Sequence, residues 1–279
     1  MAGVLHPCQT SADHTGYKAT AVLYGNFARC GNQQEPVICC LCGFIAEADN
    51  WDNFDHEWRA LLTKVSSDLD ATACLHGTGI FQSWDISDRH ALLEDLSEVL
   101  IHSALAPIGT FVYLEHFSKL SSTERTILAA EGITTPLDVM FYDFTERLIR
   151  IAHHESEKIS LILERVPQSK AEPYSALFSR HLGRYLLGPH LVGLPEFKDA
   201  RNSSYLQAAR LLREIIFLSE KHNLSSAITF ASSFVAPPAL QRMAQSIWEK
   251  GRLDTPELRK MAARLKGANA KTSQERDES

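Results

Sequence analysis

Cys39-x-x-Cys42 has the thiol spacing used in zinc and redox sites, and Cys74 with His76 would complete a four-ligand set. A zinc knuckle needs a turn between its first two thiols. Here both lie inside ValIleCysCysLeuCysGlyPheIle, an apolar run that reads as a strand, so buried small hydrophobes are the expected role. Glu115-His116 sets an acid beside a base, yet no nucleophile is placed with them. His153-His154, followed by Glu155, closes a helical pattern at the end where the macrodipole favours histidine, and reads as surface. The chain has no Gly-rich phosphate loop, no GxSxG elbow and no HExxH helix.

The elements that would position such residues follow from periodicity. Residues 18–24 alternate around β-branched and aromatic side chains and predict a strand ended by Gly25-Asn26. Residues 37–46 are apolar on both faces, as a central strand is. The two should be antiparallel neighbours joined by the polar 25–36 connection. Asn50 is the expected cap of a helix over 51–65, with Phe54, Trp58, Leu61, Leu62 and Val65 on one stripe. A short third strand is expected at 71–75. Ser87 is the expected cap of a second amphipathic helix, with Leu92, Leu96, Val99 and Leu100 inward. Pro107 and Gly109 then break the chain before a fourth strand at 110–114. Pro136 opens a helix carrying Val139, Phe144, Leu148 and Ile151. A fifth strand is expected at 158–166, helices at 171–187 and 204–221 with an extended piece at 190–197 between them, and one or two short basic helices over 240–266. The expected fold is α/β: a mixed sheet of three early strands followed by βα alternation, flanked by helices. Residues 17–221 make one domain on this reading, 222–266 a helical extension and 267–279 a disordered tail.

Several segments resemble the bacterial family called domain of unknown function 3800, which has a ribonuclease-H-like fold. Its members open with a strand running into an Asp-Glu-Ser-Gly turn; here AlaValLeuTyr runs into Gly25-Asn26-Phe27-Ala28. Its next strand ends in an Ala-Gly tract before a helix with a Trp and a Phe-x-x-x-Trp; here CysLeuCysGlyPheIleAla precedes Trp51 and Phe54-Asp55-His56-Glu57-Trp58. A Phe-His-Met stretch is matched by Leu75-His76-Gly77. The family's late Pro-Leu-Gln-Ala-Ala-Asp-Leu-Leu is matched by Tyr205-Leu206-Gln207-Ala208-Ala209-Arg210-Leu211-Leu212.

The resemblance implies a site where carboxylates from the first strand, a later strand and a late helix hold Mg²⁺ or Mn²⁺, which activates water for phosphate cleavage. Those carboxylates are mostly replaced. Gly25 and Asn26 stand at the opening turn, Gly77 and Gly79 leave no acid after His76, and Arg210 stands at the late-helix acid. Glu164 keeps an acid at the end of the fifth strand. A guanidinium cannot ligate a cation but can pair with a carboxylate, so Arg210 is expected to fill the old metal position against Glu164 or an acid such as Glu115. The resemblance therefore implies a non-catalytic, nuclease-derived binding or regulatory protein without cofactor. Two other readings stand beside it. One is a nuclease using Mg²⁺ or Mn²⁺ on Glu115, Glu164 and Asp199; the other is a structural subunit of a larger assembly, suggested by aromatic stretches such as Phe141-Tyr142-Asp143-Phe144.

Composition narrows the partners. In 279 residues, 44% hydrophobic and 22% charged, no run approaches the eighteen or so apolar residues that cross a bilayer, so no membrane partner is expected. The first twenty residues carry no secretory apolar stretch and the six cysteines form no disulfide framework, which points to the cytoplasm. Residues 39–100 hold twelve acids against three bases, whereas residues from 201 onward hold eight acids against thirteen bases. A nucleic acid would be repelled by the first region and could approach only the second; a protein partner is the alternative.

Overall fold

The computed structural model describes residues 17–25, 38–65, 71–165, 168–183, 192–200, 203–221, 229–230 and 234–277. Strands β1 (Tyr17–Gly25) and β2 (Ile38–Glu47) pair antiparallel, Gly25 opposite Cys39 and Tyr17 opposite Glu47, as the two apolar runs predict. Helices α1 (Ala48–Thr63), α2 (Ala71–His76) and α3 (Ile86–His102) follow before β3 (Ala106–Tyr113) pairs antiparallel with the other edge of β2. Helices α4 (Leu114–Ser118), α5 (Ser122–Ala130) and α6 (Pro136–Glu155) lead to β4 (Ile159–Glu164), which lies parallel to β1. Helix α7 (Gln168–Leu182) precedes β5 (Glu196–Lys198), which lies parallel to β4. After α8 (Ser204–Lys221) come a two-residue hairpin, β6 (Thr229–Phe230) with β7 (Phe234–Val235), helix α9 (Pro238–Gly251), strand β8 (Arg252–Leu253) and helix α10 (Thr255–Asp277). The main sheet is mixed, in the order β5-β4-β1-β2-β3-β8.

Every residue of β2 except Glu47 is buried, because both edges are paired and both faces covered. Ile38, Cys40, Cys42 and Phe44 point into a core built with α1, α2, α3, α8 and α9. Cys39, Leu41 and Ile45 point to the other, built with α5, α6, α7 and α10. The molecule is thus a sheet between two helical layers.

The expected strand at 71–75 is helical. Its buried residues, Ala71, Cys74 and Leu75, recur at three and four positions rather than two. Neither edge of β2 is open to it either, since β1 and β3 flank that strand. Pro107 and Gly109 do not precede the next strand but belong to it. Pro107 is its second residue, where a missing N–H is tolerated. At Gly109 a Cβ would meet Ile247 Cγ2 at 2.7 Å and Cys42 Cβ at 2.9 Å, so the strand needs a glycine there to take α9 against it.

Helix starts also move. The helix placed after Asn50 begins at Ala48, with Glu47 as N-cap, and Ser87 lies inside a helix capped by Asp85. In neither does the cap side chain accept a hydrogen bond, so side-chain capping does not mark the start of either helix. Helices α4 and α5 were not expected, although Ser121 and Glu124 form a reciprocal capping box readable in the sequence. Of the helix expected over 171–187, residues 184–187 lie outside the described residues, as do the first two residues of the extended piece expected at 190–197, and Asn26. Instead of a disordered tail, helix α10 continues through Gly267 to Asp277. Ala, Lys, Gln, Arg and Glu there extend an existing helix without a nucleation cost.

Candidate functional site

Helix α8 crosses the middle of one sheet face and is buried almost all round: Leu206, Gln207, Ala208, Ala209, Leu211, Leu212, Ile215 and Ile216 are inside. Three of the segments quoted above converge on it. The first contact is aromatic. Trp51 stands edge-on to Tyr205 with centroids 5.1 Å apart, Phe54 packs on Trp58 at 5.1 Å, and Trp58 Nε1 donates to Gln207 Oε1 at 3.3 Å. Asp55 accepts from Ser204 Oγ and, at 2.8 Å, from Arg59 Nε. The Trp-containing helix and the late Gln-Ala-Ala motif are two halves of one packing unit.

The second contact is ionic. Arg210 Nε donates to Glu164 Oε1 at 2.8 Å, and Arg210 Nη2 donates to the same oxygen. The other carboxylate oxygen of Glu164 lies 3.8 Å from Arg213 Nη1. Arg213 Nε in turn donates to Glu214 Oε1 at 3.1 Å, and Glu214 Oε2 lies 3.4 Å from His76 Nε2. The side chains of Glu164 and Arg210 are only 16% and 26% exposed, so the pair is screened little by solvent. Burial raises the Glu214 carboxyl, but the hydrogen bond from His76 and the guanidinium of Arg213 outweigh it and hold Glu214 below its ordinary value. Arg213 and Glu214 were not singled out from the sequence, although they sit three and four residues after Arg210 on the same helix.

Gly77 ends α2 at φ +62°, and a Cβ there would lie 2.2 Å from Arg89 Nη1. Its glycine serves backbone conformation and close packing, which explains the residue without reference to a lost acid. Gly79 has φ +62° as well, with nothing near.

The remaining candidates are dispersed. The register sets Ala21 beside Leu163, so Glu164 is level with Val22. Gly25 lies three residues, about 10 Å, further along β1. Glu115 is not at a strand end but in α4, exposed, 3.5 Å from Lys119 Nζ. It follows β3, separated from β4 by β1 and β2, about 14 Å of sheet. Asp199 follows β5, whose Lys198 pairs with Glu164. Among the described residues no three His, Cys, Asp or Glu side chains converge on one point, so Glu115, Glu164 and Asp199 do not form a ligand set.

His116 Nδ1 lies 3.0 Å from Thr255 Oγ1 and ties α4 to α10. His154 Nδ1 pairs with Glu155 at 2.9 Å on the surface, and its neighbour His153 is exposed. Cys39 and Cys42 face opposite sides of β2 and cannot share an ion. Burial pushes the Cys39 thiol up to about 11 and, against the guanidinium of Arg89, the Cys74 thiol up to about 12. Both stay protonated at neutral pH, which suits packing rather than ligation or attack.

A groove of about 760 Å³ opens on the other side of the sheet between α6 and α10. It gathers Arg147, Arg150, Lys250, Arg252, Lys260 and Arg264. Most of these cations are held internally: Arg147 by buried Asp143 at 2.6 Å, Arg150 and Arg264 by Glu146 at 3.3 and 3.2 Å, and Lys260 by Glu257 at 2.6 Å.

No helix of the described chain is long and apolar enough to cross a membrane. In comparison with known proteins, no protein-family model, curated protein or solved structure matches the chain.

Proposed function

We propose that this chain is a ribonuclease-H-like protein that has given up metal-dependent hydrolysis and works by binding, with a protein as its partner. The observation that carries this reading is the Glu164–Arg210 pair. In the arrangement implied by the family resemblance, the late-helix acid faces the acid at the end of the strand parallel to β1, and together they hold the cation. Here a guanidinium takes that position and donates twice to the one carboxylate. The donor set does not fit Mg²⁺ or Mn²⁺, which need several anionic oxygens and tolerate no cation among their ligands. Three antiparallel strands followed by two strands added parallel to β1 support the scaffold. A protein is favoured over a nucleic acid because the basic groove is largely neutralised by its own carboxylates and residues 39–100 are strongly acidic.

Calorimetric titration with Mg²⁺ and Mn²⁺ tests the reading. The expected result is no stoichiometric site tighter than about 1 mM. A site tighter than about 100 μM, or Mn²⁺-dependent cleavage of RNA or DNA that Glu164→Gln abolishes, overturns it. Arg210→Asp restores an acid facing Glu164, and the melting temperature of that variant should rise with millimolar Mg²⁺ while that of the parent does not move.

A further inference from the structure

Helices α1 and α3 leave a groove of about 500 Å³ between them, away from the Glu164–Arg210 pair. Leu61 and Val65 line one wall and Ala91 and Leu92 the other, with Trp84 at one end. Trp84 packs edge-on against buried Phe81 at 4.9 Å, so the indole is fixed in place while remaining partly open. Ile80 and Ile86 flank it at 48% and 45% exposure, which extends the apolar surface beyond the groove.

The rim is acidic. Asp85, Asp88 and Asp95 line the groove against one cation, Lys64. Among the described residues none of these three carboxylates makes an ion pair, whereas Asp55, Glu124, Asp143, Glu146, Glu164 and Glu214 all do. Asp88 and Asp95 are seven residues apart on α3, two turns or about 10 Å, so they stand on one side of the groove in step with a helical repeat. Asp85 and Asp88 also lie at the positive end of the α3 dipole. Asp95 lies two turns further in, where the dipole gives it no support.

We infer that this groove is the docking site for a basic amphipathic helix of a partner protein. The partner's apolar residues would cover Leu61, Val65, Ala91 and Trp84, and its Lys or Arg side chains, spaced by two turns, would reach Asp88 and Asp95. This is helix-in-groove recognition, with apolar anchors for affinity and the acidic rim for orientation and approach rate. The inference goes beyond the proposed loss of hydrolysis and does not depend on it, since no residue of the groove touches Glu164, Arg210 or Glu214.

The test is a titration of the full chain against a fluorescently labelled, synthetic Lys/Leu amphipathic helix of about 18 residues, read by anisotropy at low salt and at about 0.3 M salt. Saturable binding is expected, weakened about tenfold or more by the double substitution Asp88→Lys, Asp95→Lys, and also weakened by Trp84→Ala. The control is Glu94→Lys, Glu98→Lys, which makes the same change of charge on exposed positions of α3 outside the groove. It should weaken binding less than about threefold. Equal losses in the two double variants would mean that net charge alone attracts the peptide, and the inference fails. It fails also if no saturable binding is seen, or if a Glu/Leu peptide of the same apolar pattern binds as well. Circular dichroism of each variant separates loss of the groove from loss of the fold.

Discussion

At the scale of single residues, the Glu164–Arg210 pair makes a stability prediction separate from any metal. Both groups are mostly withdrawn from water, and each leaves a charge behind if the other is removed. Arg210→Ala should therefore destabilise the fold by about 1–3 kcal/mol, measured by urea denaturation. A change below about 0.5 kcal/mol would mean that Arg213 alone satisfies Glu164. Glu214 gives the pH dependence. A carboxyl held below its ordinary 4.5 in the folded protein binds its proton more readily when unfolded. Its contribution is thus complete above about pH 4.5 and lost as the pH falls through the lower, folded value. Glu214→Gln should cost stability at pH 7 and cost less at about pH 3.5, where the parent has lost part of the same contribution. A deficit of equal size at both pH values would assign Glu214 a packing role only.

At the scale of elements, α8 is the member on which α1, α2 and β4 meet, and Gln207 fixes how α1 meets it. Replacing Gln207 by Leu keeps the volume but leaves the buried Trp58 indole N–H without its acceptor. That should cost about 1–3 kcal/mol by chemical denaturation. Trp58→Phe removes the donor as well, so the double variant with Gln207→Leu should be less destabilised than the sum of the two singles, and strict additivity would show that the hydrogen bond carries no coupling. The same element gives the aromatic and Gln-Ala-Ala segments a packing role of their own. Trp51, Phe54, Trp58, Tyr205 and Gln207 hold two helices together, and that need persists whatever the site binds.

At the scale of the whole molecule, α9, β8 and the first turns of α10 are part of the fold. Leu240, Ala244 and Ile247 of α9 pack in one core, and Leu253, Leu258, Met261 and Leu265 in the other. Gly251 approaches so closely that a Cβ would lie 2.3 Å from Gly109 O. Burying a large aliphatic side chain contributes about 1.5–3 kcal/mol, so losing six of them exceeds what a domain has to spare. A chain ending at Lys221 is expected to be unfolded by circular dichroism and to expose hydrophobic surface. Ending it at Lys266 instead keeps those contacts and should move the melting temperature by less than about 4 °C. A larger shift would show that the last turns of α10 also dock.

The sequence by itself determined the antiparallel pair β1–β2, the bounds of α8 and the meeting of Arg210 with Glu164. The first two rest on local patterns: an apolar run on both faces, and helical spacing unbroken by Gly or Pro from Ser204 to Lys221. The third came through the family resemblance rather than through periodicity. Tertiary structure decided the rest. Residues 71–75 hold mostly small and apolar side chains that suit either a strand or a helix; they are helical, and β3 rather than this segment pairs with the second edge of β2. Gly109 reads as a breaker until α9 is seen to need the room. The separation of Glu115 and Gly25 from Glu164 follows from strand order and register, which pair segments more than a hundred residues apart and leave no local trace in the chain.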